Sequence, residues 1–170
     1  MSSRFRLEDL TYRKLDEKTD LSSFSCSVED DLGVDEFIHK EAINYQKEHF
    51  GITYLFYHNE EIVGFVTIAM GVVKANELSE GMEEDSQLEI KTFPSLLIGK
   101  LGVDNRYRRR DVGRILCAWC VGKALEFSEY IGCRYVSLVT KKSKIGFYNK
   151  CRFFTANPNK ERIVMMKRIT

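Results

Sequence analysis

Leu96-Leu-Ile-Gly-Lys-Leu-Gly-Val103 runs directly into Asp104-Asn-Arg-Tyr-Arg-Arg-Arg-Asp-Val-Gly-Arg114, and the chain then keeps a helical spacing as far as Ile131. The first piece is a short apolar run opened by Pro94, suited to a strand buried on both faces. From Asp111 to Ile131, residues Val112, Ile115, Leu116, Trp119, Ala124, Phe127 and Ile131 make a broad apolar face, and Gly132 predicts the end. A strand passing through a turn into a helix is the building unit of an α/β fold. The turn itself suits an anion. The first N–H groups of a helix have no internal partners, and the helix dipole adds to their pull. Gly113 permits close approach of a pyrophosphate, while Arg108, Arg109, Arg110 and Arg114 supply charge and bidentate contacts. One glycine is too few for a Rossmann fingerprint, and no Gly-Lys-Ser/Thr marks a P-loop. A solvated basic turn has the same composition, so these residues alone leave both readings open.

Working outward, Leu7 to Leu15 alternates loosely as a first strand. The acidic run Glu29-Asp30-Asp31 suits a helix N-terminus, and Phe37, Ile38, Glu41, Ala42 and Tyr45 continue as an amphipathic helix to about Glu48, stopped by Gly51. Thr53-Tyr-Leu-Phe-Tyr57 and Ile62 to Met70, joined by His58-Asn-Glu-Glu61, predict an antiparallel hairpin. Residues 76–92 are acidic and predict a loop or a short exposed helix. Beyond the long helix, Arg134 to Thr140 predicts a strand, Lys144 to Lys150 a short helix capped by Ser143, and Arg162 to Ile169 a closing strand. The order β-α-β-β-β-α-β-α-β describes an α/β domain with a mixed sheet, taken as one domain over 1–170.

Composition narrows the classes. The 170 residues are 44% hydrophobic and 30% charged, which excludes disorder, collagen and coiled coil. The longest apolar stretch, Ile115 to Gly122, is too short to span a bilayer, and the first residues lack a signal-peptide core, so no membrane role and a cytoplasmic location are expected. Five irregularly spaced cysteines predict reduced thiols, with the Cys117-x-x-Cys120 pair acting as small apolar filler and no metal site. The formal net charge of +1 conceals a division. Residues 96–170 hold 17 lysines and arginines against 5 acidic groups, whereas residues 1–95 hold 9 against 20. Such asymmetry suits an anionic partner, either a phosphate-bearing cofactor or a nucleic acid.

With these residues in view, the chain resembles the GNAT acetyltransferases, which move an acetyl group from acetyl-CoA to an amine. Their signature Q/R-x-x-G-x-G/A falls on Arg108, Arg109, Arg110, Asp111, Val112 and Gly113. Leu101-Gly-Val-Asp104 looks like the family's fourth strand, and Ile145-Gly-Phe-Tyr-Asn-Lys150 with Phe153-Phe154 looks like its A-x-x-F-Y-x-x-x-G-F segment. Phe24-Ser-Cys, Ala42-Ile-Asn-Tyr-Gln46 and Leu97-Ile-Gly-Lys-Leu101 are similar to one subgroup, which includes tRNA-acetylating toxins. Three departures stand out: Asp111 replaces the first glycine, Lys141 replaces a common asparagine, and Cys151-Arg152 replaces Leu-Gly.

The resemblance implies a mixed, mostly antiparallel sheet flanked by helices. It implies acetyl-CoA as co-substrate, held by Leu101, Gly102, Val103, Arg108, Arg109, Arg110, Asp111, Val112, Gly113 and Arg114. It implies an N–H of Val103 at the thioester carbonyl and Tyr148 as the acid that protonates the departing thiolate, a task that suits a phenol neutral at pH 7. No general base stands out, and His39, His49 and His58 read as surface or capping histidines. An α-amine, with a pKa of roughly 8, could react without one. The expected acceptor is a primary amine of a small molecule or peptide. The alternatives are the α-amine of an aminoacyl-tRNA and a non-catalytic acyl-CoA-binding module. A homodimer stays open.

Overall fold

The strongest element is the hairpin, because both of its strands are apolar on both faces. The computed structural model describes residues 3–78, 88–155 and 158–170. Strand β1 (Thr11–Lys14) pairs antiparallel with β2 (Ile52–His58), and β2 pairs antiparallel with β3 (Glu61–Lys74). His58 faces Glu61 across a two-residue turn whose Asn59 is left-handed at φ 54°, a conformation that asparagine tolerates. Leu55, Phe56, Val63, Phe65 and Val66 are fully buried, each stabilising the pair by about 1.5–3 kcal/mol. β3 runs to Lys74, four residues beyond the apolar pattern, with Met70 and Val72 exposed.

Seven strands form one sheet in the order β1-β2-β3-β4-β5-β7-β6. The other members are β4 (Thr92–Val103), β5 (Tyr135–Thr140), β6 (Phe154–Thr155) and β7 (Ile163–Arg168). The β4–β5 pair is parallel, whereas β5–β7 and β6–β7 are antiparallel. β6 has two residues, too few to leave a period in the sequence. β4 is buried as expected only through Ile98; Gly99 is exposed, and Lys100, Leu101 and Val103 are half-buried around the buried Gly102.

The chain divides into two compact units, Met1–Ala69 with Gly99–Ala118, and Met70–Ile98 with Trp119–Thr170. In the first, Leu15, Phe24, Cys26, Val34, Phe37, Ile38, Ala42, Leu55, Ile62 and Phe65 make one core. In the second, Val73, Phe93, Tyr135 and Met166 pack together, and the Ser95 and Ser137 hydroxyls satisfy each other at 2.8 Å.

The first and last helices end close to expectation, but the long helix is shorter and the closing devices differ. The first begins with α1 (Val34–Glu36), passes through a π turn (Phe37–Glu41) and continues as α2 (Ala42–Lys47). The Asp30 carboxylate starts it, accepting the N–H groups of Leu32, Val34 and Asp35. A Schellman closure ends it. His49 takes φ 62°, its N–H donates to Gln46, that of Phe50 donates to Tyr45, and the two rings meet at 5.4 Å. Gly51 is not the stop. Helix α3 (Val112–Phe127) likewise finishes before Gly132, with Ile131 exposed. The short helix α4 (Ile145–Lys150) follows a 3-10 turn at Lys142–Lys144. Of the acidic segment, residues 79–87 lie outside the described residues, and Ala75–Glu77 is a 3-10 turn.

Candidate functional site

Gly102 shows why the last residues of β4 are what they are. A side chain there would bring Cβ to 2.6 Å from the Phe65 ring, 3.0 Å from Cys26 Sγ and 3.1 Å from Val34. Gly64 is equally confined, its Cβ position 2.9 Å from the Gly102 carbonyl and 3.1 Å from Val112. The two glycines let β3, β4 and the start of α3 close on one another. Burial, together with the nearby carboxylates of Asp35 and Asp30, pushes the Cys26 thiol up to about 12. It is a neutral packing group at physiological pH.

The strand ends in a clasp that the sequence reading missed. Asp104 is buried, and its carboxylate accepts from Ser25 N–H (3.2 Å), Arg106 N–H (2.9 Å) and Arg106 Nε (2.9 Å). Asn105 N–H donates to the Ser25 carbonyl (2.8 Å), its side-chain amide donates to Ser25 and Ser27, and its Oδ1 accepts from Val28 N–H. Arg108 extends the clasp to the Val28 carbonyl (3.3 Å) and Glu29 (2.8 Å). The Asx-turn character of Asp-Asn-Arg was the available signal. Its partners some 80 residues away left none.

Between this clasp and α3 lies the basic turn. Arg109 and Asp111 are both left-handed, at φ 61° and 66°. Alternating left-handed residues let successive backbone N–H groups converge on an anion, and such positions cost about 1–3 kcal/mol when the residue is not glycine. Asp111 is the residue that replaces the first glycine of the signature, and aspartate is among the side chains that tolerate this conformation best. Its carboxylate is engaged by Arg4 at 3.8 Å and Arg114 at 3.7 Å, and its carbonyl receives Ile115 N–H as α3 begins. Arg109 and Arg114 are exposed, Arg110 is held by the Ser3 carbonyl and by Phe5, and Val112 is buried against the sheet. The first unit thus brings Leu101, Gly102 and Val103 together with Arg108 to Arg114 at one strand-to-helix junction.

Tyr148 belongs to the second unit, on α4. It is buried, its ring edge-on to Phe147 at 4.9 Å and to Phe153 at 5.9 Å. The helix closes immediately after it by another Schellman pattern. Arg152 N–H donates to Asn149, Phe153 N–H donates to Tyr148, and Arg152 takes φ 65°. The turn keeps the shape of the glycine that Arg152 replaces. Lys141 and Lys142, just before α4, are exposed.

Two histidine rings lie against backbone carbonyls. His39 Nε2 lies 2.9 Å from the Phe24 carbonyl, His49 closes α2, and His58 Nδ1 lies 3.3 Å from the Asp9 carbonyl. Cys117 and Cys120 are buried inside α3 and are not joined by a disulfide. Among the described residues no group of three or more His, Cys, Asp or Glu is arranged to hold a metal ion, and no helix is long and apolar enough to cross a membrane.

Comparison with solved structures finds the same fold in AtaT complexed with acetyl-methionyl-tRNAfMet, 17% identical over 94% of this chain and 95% of that one, TM-score 0.77. A tyrosine-to-phenylalanine mutant of KacT is 15% identical over 95% of both chains, TM-score 0.77. A tyrosine-to-phenylalanine mutant of AtaT, bound to acetyl-CoA and the C-terminus of the antitoxin AtaR, is 16% identical over 95% of this chain and 94% of that one, TM-score 0.73. A comparison with curated protein sequences returns no match. The model of the acetyltransferase (GNAT) family matches residues 16–153, most of the chain and the whole of the strand-to-helix junction. This chain belongs to the GNAT family and is an N-acetyltransferase.

Proposed function

We propose that the chain transfers the acetyl group of acetyl-CoA to a primary amine by direct attack of the neutral amine on the thioester. The observation that carries the reading is the Arg109–Asp111 turn. It joins left-handed backbone to a helix start and exposed arginines, a combination that fits a pyrophosphate. Arg109, Arg114 and the N–H groups from Val112 to Arg114 hold the phosphates. The β4 backbone from Leu101 to Val103 runs beside the acyl arm. The β4–β5 ladder extends only from Ser95 to Ile98 among the described residues, which leaves this stretch of β4 beyond it.

In the reaction, the amine nitrogen bonds to the acetyl carbon and the carbonyl oxygen takes up negative charge beside Val103 N–H. The carbon–sulfur bond breaks as the carbonyl re-forms. Tyr148 donates its proton to the thiolate, and water takes the proton lost by the amine. No histidine is assigned as base: the rings of His39 and His58 lie against the Phe24 and Asp9 carbonyls, and water suffices for an amine of lowered pKa. An α-amine, about half neutral near pH 8, suits such a site better than a lysine side chain.

A second reading names the acceptor as the α-amine of an aminoacyl-tRNA. It is favoured by the basic excess of residues 96–170 and by the likeness to AtaT. Calorimetry tests the cofactor half. Gly113→Val is expected to weaken acetyl-CoA binding more than tenfold, about 1.4 kcal/mol, and unchanged affinity overturns the placement. Replacing Lys141, Lys142 and Lys144 together by glutamine tests the acceptor half. With an RNA-borne amine, KM for the acceptor rises and its salt dependence flattens, while acetyl-CoA affinity holds. With a small amine or peptide the triple change does little. Acceptor binding that stays flat from low to physiological salt removes the tRNA reading.

A further inference from the structure

Arg110 stands between the two left-handed residues of the turn, and its interactions lead back to residues 3–6 of the same unit. Its carbonyl accepts Phe5 N–H at 2.9 Å, and its Nε donates to the Ser3 carbonyl at 2.6 Å. Its guanidinium lies 4.0 Å above the centre of the Phe5 ring. Phe5 is buried, with its ring 4.8 Å from His58 and 5.9 Å from Tyr107, which in turn donates to Glu61. Arg4, the residue between Ser3 and Phe5, pairs with Asp111. A segment more than a hundred residues away in sequence therefore holds the turn at the Arg110 carbonyl, the Arg110 side chain and the Asp111 carboxylate.

We propose that Phe5 and Arg110 form a strut that holds the Arg109–Asp111 backbone in its anion-receiving form, so that Arg110 is a positioning residue rather than a phosphate ligand. The proposal rests on the acetyl-CoA reading for what the turn receives. A guanidinium stacked on the Phe5 ring, with its Nε donating to the Ser3 carbonyl, has its face and one donor committed within the protein. A backbone bond to the middle residue restrains the torsions on both sides, where neither neighbour is glycine. With glycine in place of Asp111 the left-handed torsion would need no such restraint.

The test combines ligand binding with a readout that needs no ligand. Acetyl-CoA affinity is measured by calorimetry for wild type, Phe5→Ala, Arg110→Ala and the double variant. Each single change is expected to weaken binding about three- to tenfold, the scale of one cation–π contact. The double variant is expected to be no weaker than either, since both remove one strut. Asp111→Gly is expected to restore more affinity to Phe5→Ala than it adds to wild type. If Arg110 touched phosphate, Arg110→Ala would lose more than Phe5→Ala, would lower the salt dependence, and would add to it in the double variant; that result overturns the proposal. In parallel, trypsin cleavage after Arg108, Arg109 or Arg110 is compared with cleavage after exposed Lys160. It should accelerate several-fold in Phe5→Ala and in Phe5→Leu, which keeps apolar volume but lacks the ring face, and Asp111→Gly should reverse it. Cleavage that does not change removes the strut, even if wild type fails to bind acetyl-CoA. That separate failure would remove the cofactor reading instead.

Discussion

Asp111, in the turn before α3, and Arg152, at the end of α4, take nearly the same left-handed backbone at φ 66° and 65°, yet they are held there by different means. Arg152 is fixed locally. Its own N–H and that of Phe153 bond back to Asn149 and Tyr148, and the Phe153 ring packs on Tyr148, all within six residues. Asp111 has local partners in Arg114 and Ile115 but adds distant ones, Arg4 on its carboxylate and Phe5 on the preceding residue. Both stand where the family pattern has glycine. A conformation that glycine adopts freely can therefore be kept without it, if either a helix closure or a tertiary brace supplies the restraint. The local device travels with its helix. The distant one makes the turn depend on the rest of its unit.

The sharpest way to separate the two regions is to ask what each does in the reaction. Tyr148→Phe keeps the ring and its contacts with Phe147 and Phe153 but removes the proton donor. Turnover is expected to fall by roughly 10²–10⁴, the range for a general acid, with acetyl-CoA affinity unchanged. Steady-state kinetics beside calorimetry check this. Unaltered turnover with a competent amine would make the phenol structural and would dissolve the functional contrast between α4 and the turn.

What the sequence made legible follows the same line between local and distant. The β2–β3 hairpin, the strand-to-helix junction and the aromatic pair around Tyr148 are each written within a dozen residues, as alternation, as a basic turn, or as adjacent rings. The residues that close the helices are less legible, for a physical reason. His49 ends α2 and Arg152 ends α4, although neither is glycine, because the closing bonds and ring contacts supply what glycine would otherwise offer. Asp104, Asn105, Ser25 and Phe5 carry no periodicity at all. Their importance lies in pairings across about 80 to 107 positions, which one sequence does not display.

A β-branched residue tests the restraints directly, since valine is strongly disfavoured at positive φ. Arg152→Val is expected to cost about 1 kcal/mol in chemical denaturation while acetyl-CoA affinity holds. Asp111→Val is expected to cost a similar stability and also to weaken acetyl-CoA by about tenfold, because the distorted segment is the binding surface itself. Equal losses of affinity from both variants would break the distinction between a structural turn and a ligand-receiving one.

Glycine at the same two positions gives the smallest effects and the finest discrimination. An L residue in the left-handed region costs about 1–2 kcal/mol, and glycine removes that cost while adding about 0.5–1 kcal/mol of unfolded-state entropy to be lost on folding. Arg152 is exposed and its backbone bonds survive the change, so Arg152→Gly should stabilise by about 0.5–1 kcal/mol. Asp111 begins from a smaller strain, because aspartate tolerates this region, and its replacement also removes two ion pairs whose arginines are largely exposed and which contribute about 0–1 kcal/mol each. The gain and the loss nearly cancel. Asp111→Gly should therefore leave the denaturation midpoint within experimental scatter while Arg152→Gly raises it. A larger gain at Asp111 than at Arg152 would mean that the turn carries more strain than its brace relieves.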